Sequence, residues 1–78
     1  MTRYYFDIRD GQDLYPDAEG LDLADQKAAE VEAARALSGL AKDLPPLDER
    51  QHVAIEVRTT SGPIFQAVFV FETARLKH

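Results

Sequence analysis

The stretch from residue 52 to residue 71 reads HVAIEVRTTSGPIFQAVFVF and contains two apolar runs separated by a turn. In the first run, Val53, Ile55 and Val57 alternate with Ala54, Glu56 and Arg58. Side chains of a β-strand point alternately to its two faces, so this period of two predicts a strand over residues 52–59. Residues 60–63 (TSGP) predict a turn, and residues 64–71 predict the returning strand of an antiparallel hairpin.

The returning strand is apolar on both of its faces. One face collects Phe65, Ala67, Phe69 and Phe71, and the other collects Ile64, Val68 and Val70 together with the polar Gln66. An odd number of loop residues aligns the phenylalanines with the apolar face of the first strand, whereas an even number aligns the opposite set. Gly62 favours a three-residue loop, but Pro63 disfavours it because proline offers no N–H to the ladder. Both registers are compatible with the sequence.

A second alternating segment lies near the N-terminus, and it predicts a strand over residues 3–9. Its two faces carry Tyr4, Phe6 and Ile8 on one side, and Tyr5, Asp7 and Arg9 on the other. Asp10-Gly11 predicts a turn, since glycine tolerates a positive φ. A short edge strand over residues 13–16 follows, because Pro16 lacks an N–H and suits the end of such a strand.

Residues 23–43 are rich in Ala, Glu and Leu and predict a helix. Asp22 and Asp25 are alternative N-caps, and Pro45-Pro46 ends the helix because the residue before a proline avoids the helical region. One stripe of the helix collects Ala29, Ala33, Ala36, Leu37, Leu40 and Leu44. Its small alanines allow close approach to a sheet that carries large side chains.

These segments predict one α+β domain over residues 1–78, with the order ββαββ and the helix on one face of a small antiparallel sheet. Residues 45–51 are expected to form a polar connector, and residues 72–78 a short turn or a frayed tail.

A single helix covers only one face of the sheet, so the second apolar face of the last strand needs another cover. Burying each large apolar side chain stabilises by about 1.5–3 kcal/mol. The connector, the tail or another molecule would supply that cover. Two outcomes follow: the connector or the tail covers this face within the chain, or another molecule covers it. In the second outcome the protein is a homo-oligomer or binds an unknown protein partner. The contact surface consists of Phe65, Phe69 and Phe71 in one register, or Ile64, Val68 and Val70 in the other.

The composition limits the other classes of partner and the compartment. The chain has 78 residues, a formal net charge of −5 and no cysteine. Disulfides are excluded, no run approaches the roughly 20 apolar residues of a membrane helix, and Asp7 interrupts any secretory signal. We expect a cytoplasmic protein without membrane contact. The acidic net charge disfavours nucleic acid as a partner, because an acidic domain repels phosphate groups. The alternative hypothesis is a ligand or nucleic-acid site built from Arg3, Tyr5 and Arg9.

Catalytic and metal chemistry have little support in the sequence. His52, His78, Ser38 and Ser61 are the only histidines and serines, and no motif connects them. The acidic residues between Asp7 and Asp22 do not have calcium-loop spacing, because aligning either nearby glycine puts an aromatic residue at the first ligand position. We expect no catalytic residue, no metal site and no cofactor, and an enzyme is the third hypothesis.

The N-terminal third carries a family resemblance. Its features are Arg3-Tyr4-Tyr5-Phe6, Asp10-Gly11 and Pro16-Asp17-Ala18-Glu19-Gly20, followed by an Ala/Glu-rich helix and a closing hairpin. In this the chain resembles a small bacterial domain of unknown function that is widespread in α-proteobacteria. The Pro-Pro connector and the last strand, apolar on both faces, depart from that pattern. The resemblance implies the fold and transfers no functional residue.

Overall fold

The computed structural model describes residues 1–42, 50–72 and 76. Within these residues the chain forms β1 (Thr2–Asp10), β2 (Asp13–Tyr15), β3 (Leu21–Leu23), α1 (Gln26–Lys42), β4 (Arg50–Thr59) and β5 (Gly62–Glu72). The five strands form one antiparallel sheet, and α1 packs on one of its faces. The predicted α+β class is confirmed. The order contains one short strand, β3, that the sequence did not predict.

The sheet has the order β2-β1-β4-β5, and β3 also pairs with β1. β4 pairs with β1 from Tyr5↔Arg58 to Asp10↔Val53. β2 pairs with residues Ile8 to Asp10 of β1, and β3 pairs with its residues Thr2 to Tyr4. Within the described residues β5 pairs with β4 alone, so it forms an edge of the sheet.

The core lies between α1 and the sheet. Ala29 and Ala33 of α1 are fully buried, and they pack with Tyr4, Ile55 and Val57. Further apolar side chains at the margin are Phe6, Leu23, Ala36, Leu37, Leu40, Phe65 and Ala67. The predicted helical stripe therefore faces the sheet, with its alanines at the closest approach; Leu44 lies outside the described residues.

The helix begins three residues later than predicted, because Leu21–Leu23 continues the sheet as β3. Asp25 is the N-cap, and its Oδ1 accepts a hydrogen bond of 2.9 Å from the Ala28 N–H. Asp22 instead accepts a hydrogen bond from Arg3. Three residues between two turns were too few for periodicity to separate a strand from the start of a helix.

The β4–β5 hairpin turns through two residues, Thr60 and Ser61. An even loop was expected to place Ile64, Val68 and Val70 on the helix side, and that expectation is wrong. Val57 pairs with Phe65, whereas the next residue of β4 pairs with Pro63. Ile64 is therefore one additional residue on β5, a β-bulge that reverses the alignment and turns the phenylalanine face toward α1.

Several sequence predictions concern residues beyond this description. The predicted connector begins to be described only at Arg50, where β4 starts, and the predicted tail contributes Glu72 and Leu76 alone. No helix among the described residues is long and apolar enough to cross a membrane.

Candidate interaction surface

The face of the sheet opposite α1, here called the outer face, has a polar half and an apolar half. Strands β1 and β4 contribute the polar half, with Tyr5, Asp7, Arg9, Glu56 and Arg58. Strand β5 contributes the apolar half, with Ile64, Val68 and Val70. Alternation of side chains along each strand produces this division, because neighbouring strands present the same face at paired positions.

Asp7 is the centre of the polar half and is only 7% exposed. Its Oδ2 accepts a hydrogen bond of 2.8 Å from Arg58 Nε, and its Oδ1 accepts one of 2.8 Å from the Asp17 N–H. Arg58 Nη2 also donates to the Asp17 carbonyl at 3.0 Å. The Arg58 guanidinium lies over the Tyr5 ring, 4.5 Å from its centroid. Hydrogen bonding to Asp7 raises the pKa of Arg58 above its ordinary value, although desolvation opposes this.

Asp17 connects this group to the backbone of β1. Its Oδ2 accepts a hydrogen bond of 3.1 Å from the Phe6 N–H, and its Oδ1 accepts bonds of 3.1 Å from the N–H groups of Glu19 and Gly20. Burial alone would raise the pKa of Asp17. The hydrogen bonds from Gly20, Phe6 and Glu19, together with the charge of Arg58, outweigh burial and hold that pKa below its usual value. We call Tyr5, Asp7, Asp17 and Arg58 the Asp7 network.

Gly20 allows the loop after β2 to approach β1 closely. Its φ is +74°, and a methyl group there would lie 2.9 Å from both Arg3 Cγ and Tyr5 Cε2. Only glycine fits this conformation and this spacing without a shift of its neighbours. Residues 16–20 therefore pass beside β1 between β2 and β3.

The three residues of the ligand or nucleic-acid hypothesis lie on β1 but are already engaged. Arg3 Nη2 pairs with Asp22 Oδ2 at 3.1 Å, and Arg9 Nε pairs with Glu56 Oε2 at 2.5 Å. Hydrogen bonding and charge from Glu56 raise the pKa of Arg9. Tyr5 lies beneath Arg58. These contacts neutralise the cations that a phosphate group would need.

An open cavity of about 370 Å³ lies on the outer face, lined in part by Asp7, Glu56 and Arg58. Each of these side chains already has an ionic partner within the chain. Among the described residues, no buried polar side-chain atom lacks a hydrogen-bond partner. The charged groups of this cavity are therefore already paired within the chain, and the remaining polar side chain of its lining is the neutral Gln66.

The apolar half consists of half-exposed side chains on the edge strand. Ile64, Val68 and Val70 are 39%, 49% and 48% exposed. Of the alternative set, Phe65 and Phe69 lie on the helix side and are partly buried. Phe71 pairs with Gln51 in the backbone ladder, and its side chain lies outside the described residues. The structure thus brings Val68 and Val70 together at the surface.

A groove runs along the same edge on the helix side. Its lining residues are Ala34, Leu37, Ser38, Ala41, Ala67, Val68 and Phe69, and its volume is about 410 Å³. None of these lining residues, all from the described part of the chain, carries a charged side chain. The edge strand therefore has uncharged surface on both of its sides.

The residues considered for catalysis are dispersed. His52 is exposed on β4, Ser38 is on α1, and Ser61 is in the hairpin turn; His78 lies outside the described residues. In the part of the chain that the structure describes, no three His, Cys, Asp or Glu side chains converge as a metal site would require.

Sequence reasoning missed the Asp7 network. Asp7 and Arg58 were each assigned to a strand, but their contact depends on β1 lying beside β4, and the local patterns of the sequence do not determine which strands are neighbours in the sheet. Asp17 was assigned to a turn, and its bond to Phe6 spans 11 positions. An acid directly after three aromatic residues, Asp7 after Tyr4-Tyr5-Phe6, was the available signal, because an acid buried in a sheet needs a cation or several N–H donors.

Comparison with known proteins finds a match among the family models. Neither the curated proteins nor the solved structures contain one. A family model described as a domain of unknown function (DUF6894) matches residues 3–70, which is most of the chain. The resemblance to a family of this kind is confirmed, whereas its α-proteobacterial origin stays a prediction. The chain belongs to the DUF6894 family of domains of unknown function.

Proposed function

We propose that this protein is a non-enzymatic interaction module that self-associates through its edge strand β5. The observation that carries the proposal is the character of that strand. It is 11 residues long, it pairs on one side with β4, and its outer face exposes Ile64, Val68 and Val70. An edge strand presents a row of backbone N–H and C=O groups that pairs readily with another strand.

The distribution of charge supports this role. No charged residue occurs from Gly62 to Phe71. Edge strands of monomeric proteins are commonly protected by lysine, proline or a bulge. Here Pro63 and the bulge at Ile64 lie at the start of β5, so residues 65–71 lack all three forms of protection.

A second copy of the chain suits this strand. Two molecules of net charge −5 repel each other at long range, so close contact requires a region free of acids. Residues 65–71 are such a region on both molecules. Pairing would bury the exposed valines, at about 25 cal/mol per Å² of apolar surface removed from water.

The alternative function, binding of a ligand or nucleic acid by Arg3, Tyr5 and Arg9, has weaker support. Both arginines already pair with carboxylates, and the Tyr5 ring is covered by Arg58. Binding a phosphate would require breaking these contacts.

The test compares two equally exposed valines. Val68 lies on β5 and is 49% exposed, whereas Val31 lies on α1 and is 51% exposed. Sedimentation equilibrium over micromolar concentrations is expected to give a dimer for the unmodified chain and for Val31→Lys. Val68→Lys is expected to remain monomeric, because it would place a charge in the uncharged segment that pairing through β5 would cover. Urea unfolding of each variant checks that the fold is retained.

A monomeric unmodified chain throughout this range would refute the proposal. So would an equal effect of the two lysines, because association would then not depend on β5.

A further inference from the structure

We propose that two copies pair antiparallel about a twofold axis at Val68, with Phe69 of each copy entering the groove between α1 and β5 of the other. This inference rests on the proposed self-association and adds its register and its side-chain contact. It follows from which backbone groups of β5 point outward, from the limits of the unprotected segment, and from the position of the groove.

The direction of the backbone groups can be traced from Phe6. Its N–H points toward Asp17, on the side of β1 away from β4. In an antiparallel strand the N–H and C=O of one residue point to the same side, and this side alternates along the strand. The odd-numbered residues of β1 therefore point toward β4, where Tyr5, Asp7 and Arg9 pair with Arg58, Glu56 and Ala54.

The same alternation carries through β4 to β5. The residues of β4 that point to β5 are Val53, Ile55 and Val57, and they pair with Phe69, Ala67 and Phe65. The backbone groups of Gln66, Val68 and Val70 consequently point to the exposed edge. These are also the residues whose side chains lie on the outer face. In an antiparallel pair, two directly opposite residues point their backbone groups either both toward each other or both away. A twofold axis between two residues of β5 would instead place an outward-pointing residue opposite an inward-pointing one. The axis therefore passes through a residue.

The unprotected segment determines which residue. Pro63 and the bulge at Ile64 protect the start of β5 from pairing, so this part is excluded from the paired segment. Glu72 is the first charged position at the other end of the strand. Residues 65–71 remain, and their midpoint is Val68. With the axis there, Val68 lies opposite itself, Gln66 lies opposite Val70, and Glu72 lies opposite Ile64, so that no like charges oppose each other.

This register also has a consequence on the helix side. Ala67 of one copy lies opposite Phe69 of the other, and both residues are on the face toward α1. Ala67 lines the groove together with Leu37 and Ser38 of α1 and Phe69 of β5. An alanine at this position leaves room for an aromatic ring from the opposite strand. The uncharged lining of the groove suits the same ring.

The natural absence of cysteine allows a direct test of the register. Single variants Gln66→Cys, Val68→Cys, Val70→Cys and, as a control, Val31→Cys are oxidised and separated on non-reducing gels. Directly opposite residues lie about 4.5–5.5 Å apart at Cα, within the range of a disulfide. Val68→Cys alone is expected to cross-link at least about tenfold faster than the other three. An equimolar mixture of Gln66→Cys and Val70→Cys is expected to cross-link as well.

Fastest cross-linking at another position, or equal rates at all four, would overturn this register. If the unmodified chain is still a dimer by sedimentation, the proposed function stands and only the register fails. A monomeric unmodified chain would refute both.

The groove contact has its own test, because Ser38 lies on α1 at the groove. Ser38→Leu would fill the space, and it is expected to raise the dimer dissociation constant by at least about tenfold. Ser38→Ala keeps the groove open and is the control, with no expected change. Equal dissociation constants for the two variants would contradict insertion of Phe69.

Discussion

The three long strands β1, β4 and β5 form a ladder whose two edges, β1 and β5, are built differently. Along β1, strands β2 and β3 pair with the two ends, and Asp17 accepts the Phe6 N–H between them. Along β5, no strand among the described residues pairs with the outer side. A carboxylate therefore continues the hydrogen bonding beside β1, whereas the outward backbone groups of β5 have no partner strand among the described residues.

The two edges also differ in where their polar and charged residues lie. At the covered edge, two acids, a cation and a glycine with positive φ lie close together in space: Asp7, Asp17, Arg58 and Gly20. The exposed edge has no charge over residues 62–71. Specific polar bonds thus lie along β1, whereas β5 has exposed apolar side chains and an unpaired side among the described residues, the two features that support the proposed self-association.

The largest expected effect comes from opening the covered edge. Asp17→Ala leaves the N–H groups of Phe6, Glu19 and Gly20 without their acceptor. We expect the free energy of unfolding, measured with urea at neutral pH, to fall by about 2–3 kcal/mol. Glu19→Ala, in the same loop but with an exposed side chain, is expected to change it by less than about 0.5 kcal/mol.

Acid titration makes the same comparison in a second way. The pKa of Asp17 is lowered in the folded state, so its contribution is fully present above its unfolded pKa and is lost as pH falls through the folded value. The difference in stability between the unmodified chain and Asp17→Ala should therefore shrink at low pH. A difference that does not change with pH would contradict the role of the carboxylate.

A smaller effect is expected at Gly20. Alanine there requires φ near +74° and collides with Arg3 and Tyr5. We expect Gly20→Ala to lower the free energy of unfolding by about 1–2 kcal/mol. Gly39→Ala provides the opposite sign, because Gly39 is helical with open space around it, and alanine should stabilise by about 0.5–1 kcal/mol. Equal effects at the two glycines would argue against close approach of the loop.

The sequence predicted the features that depend on local periodicity. Alternation located β1 and β4, the apolar run after the turn located β5, and the Ala/Leu stripe located the helix face that contacts the sheet. These patterns are strong because each repeats over many residues, and burial of one face enforces them. The α+β class followed from the same patterns.

Features that depend on one residue or on distant contacts were not predictable. The register of the hairpin depends on a single additional residue, Ile64. The length of the two-residue loop does not reveal this residue. The sequence therefore left two candidate surfaces, Phe65, Phe69 and Phe71 or Ile64, Val68 and Val70. The Asp7 network joins residues 7, 17 and 58, and no short-range pattern connects them.

Amide hydrogen exchange of β5, measured at several protein concentrations, tests the central claim most directly. The Val68 and Val70 N–H groups should exchange rapidly in dilute solution and become protected as concentration rises. Ala67 and Phe69, which point to β4, should be protected throughout, as should Phe6. Protection of Val68 that does not depend on concentration, or its rapid exchange where sedimentation finds a dimer, would contradict pairing through this edge.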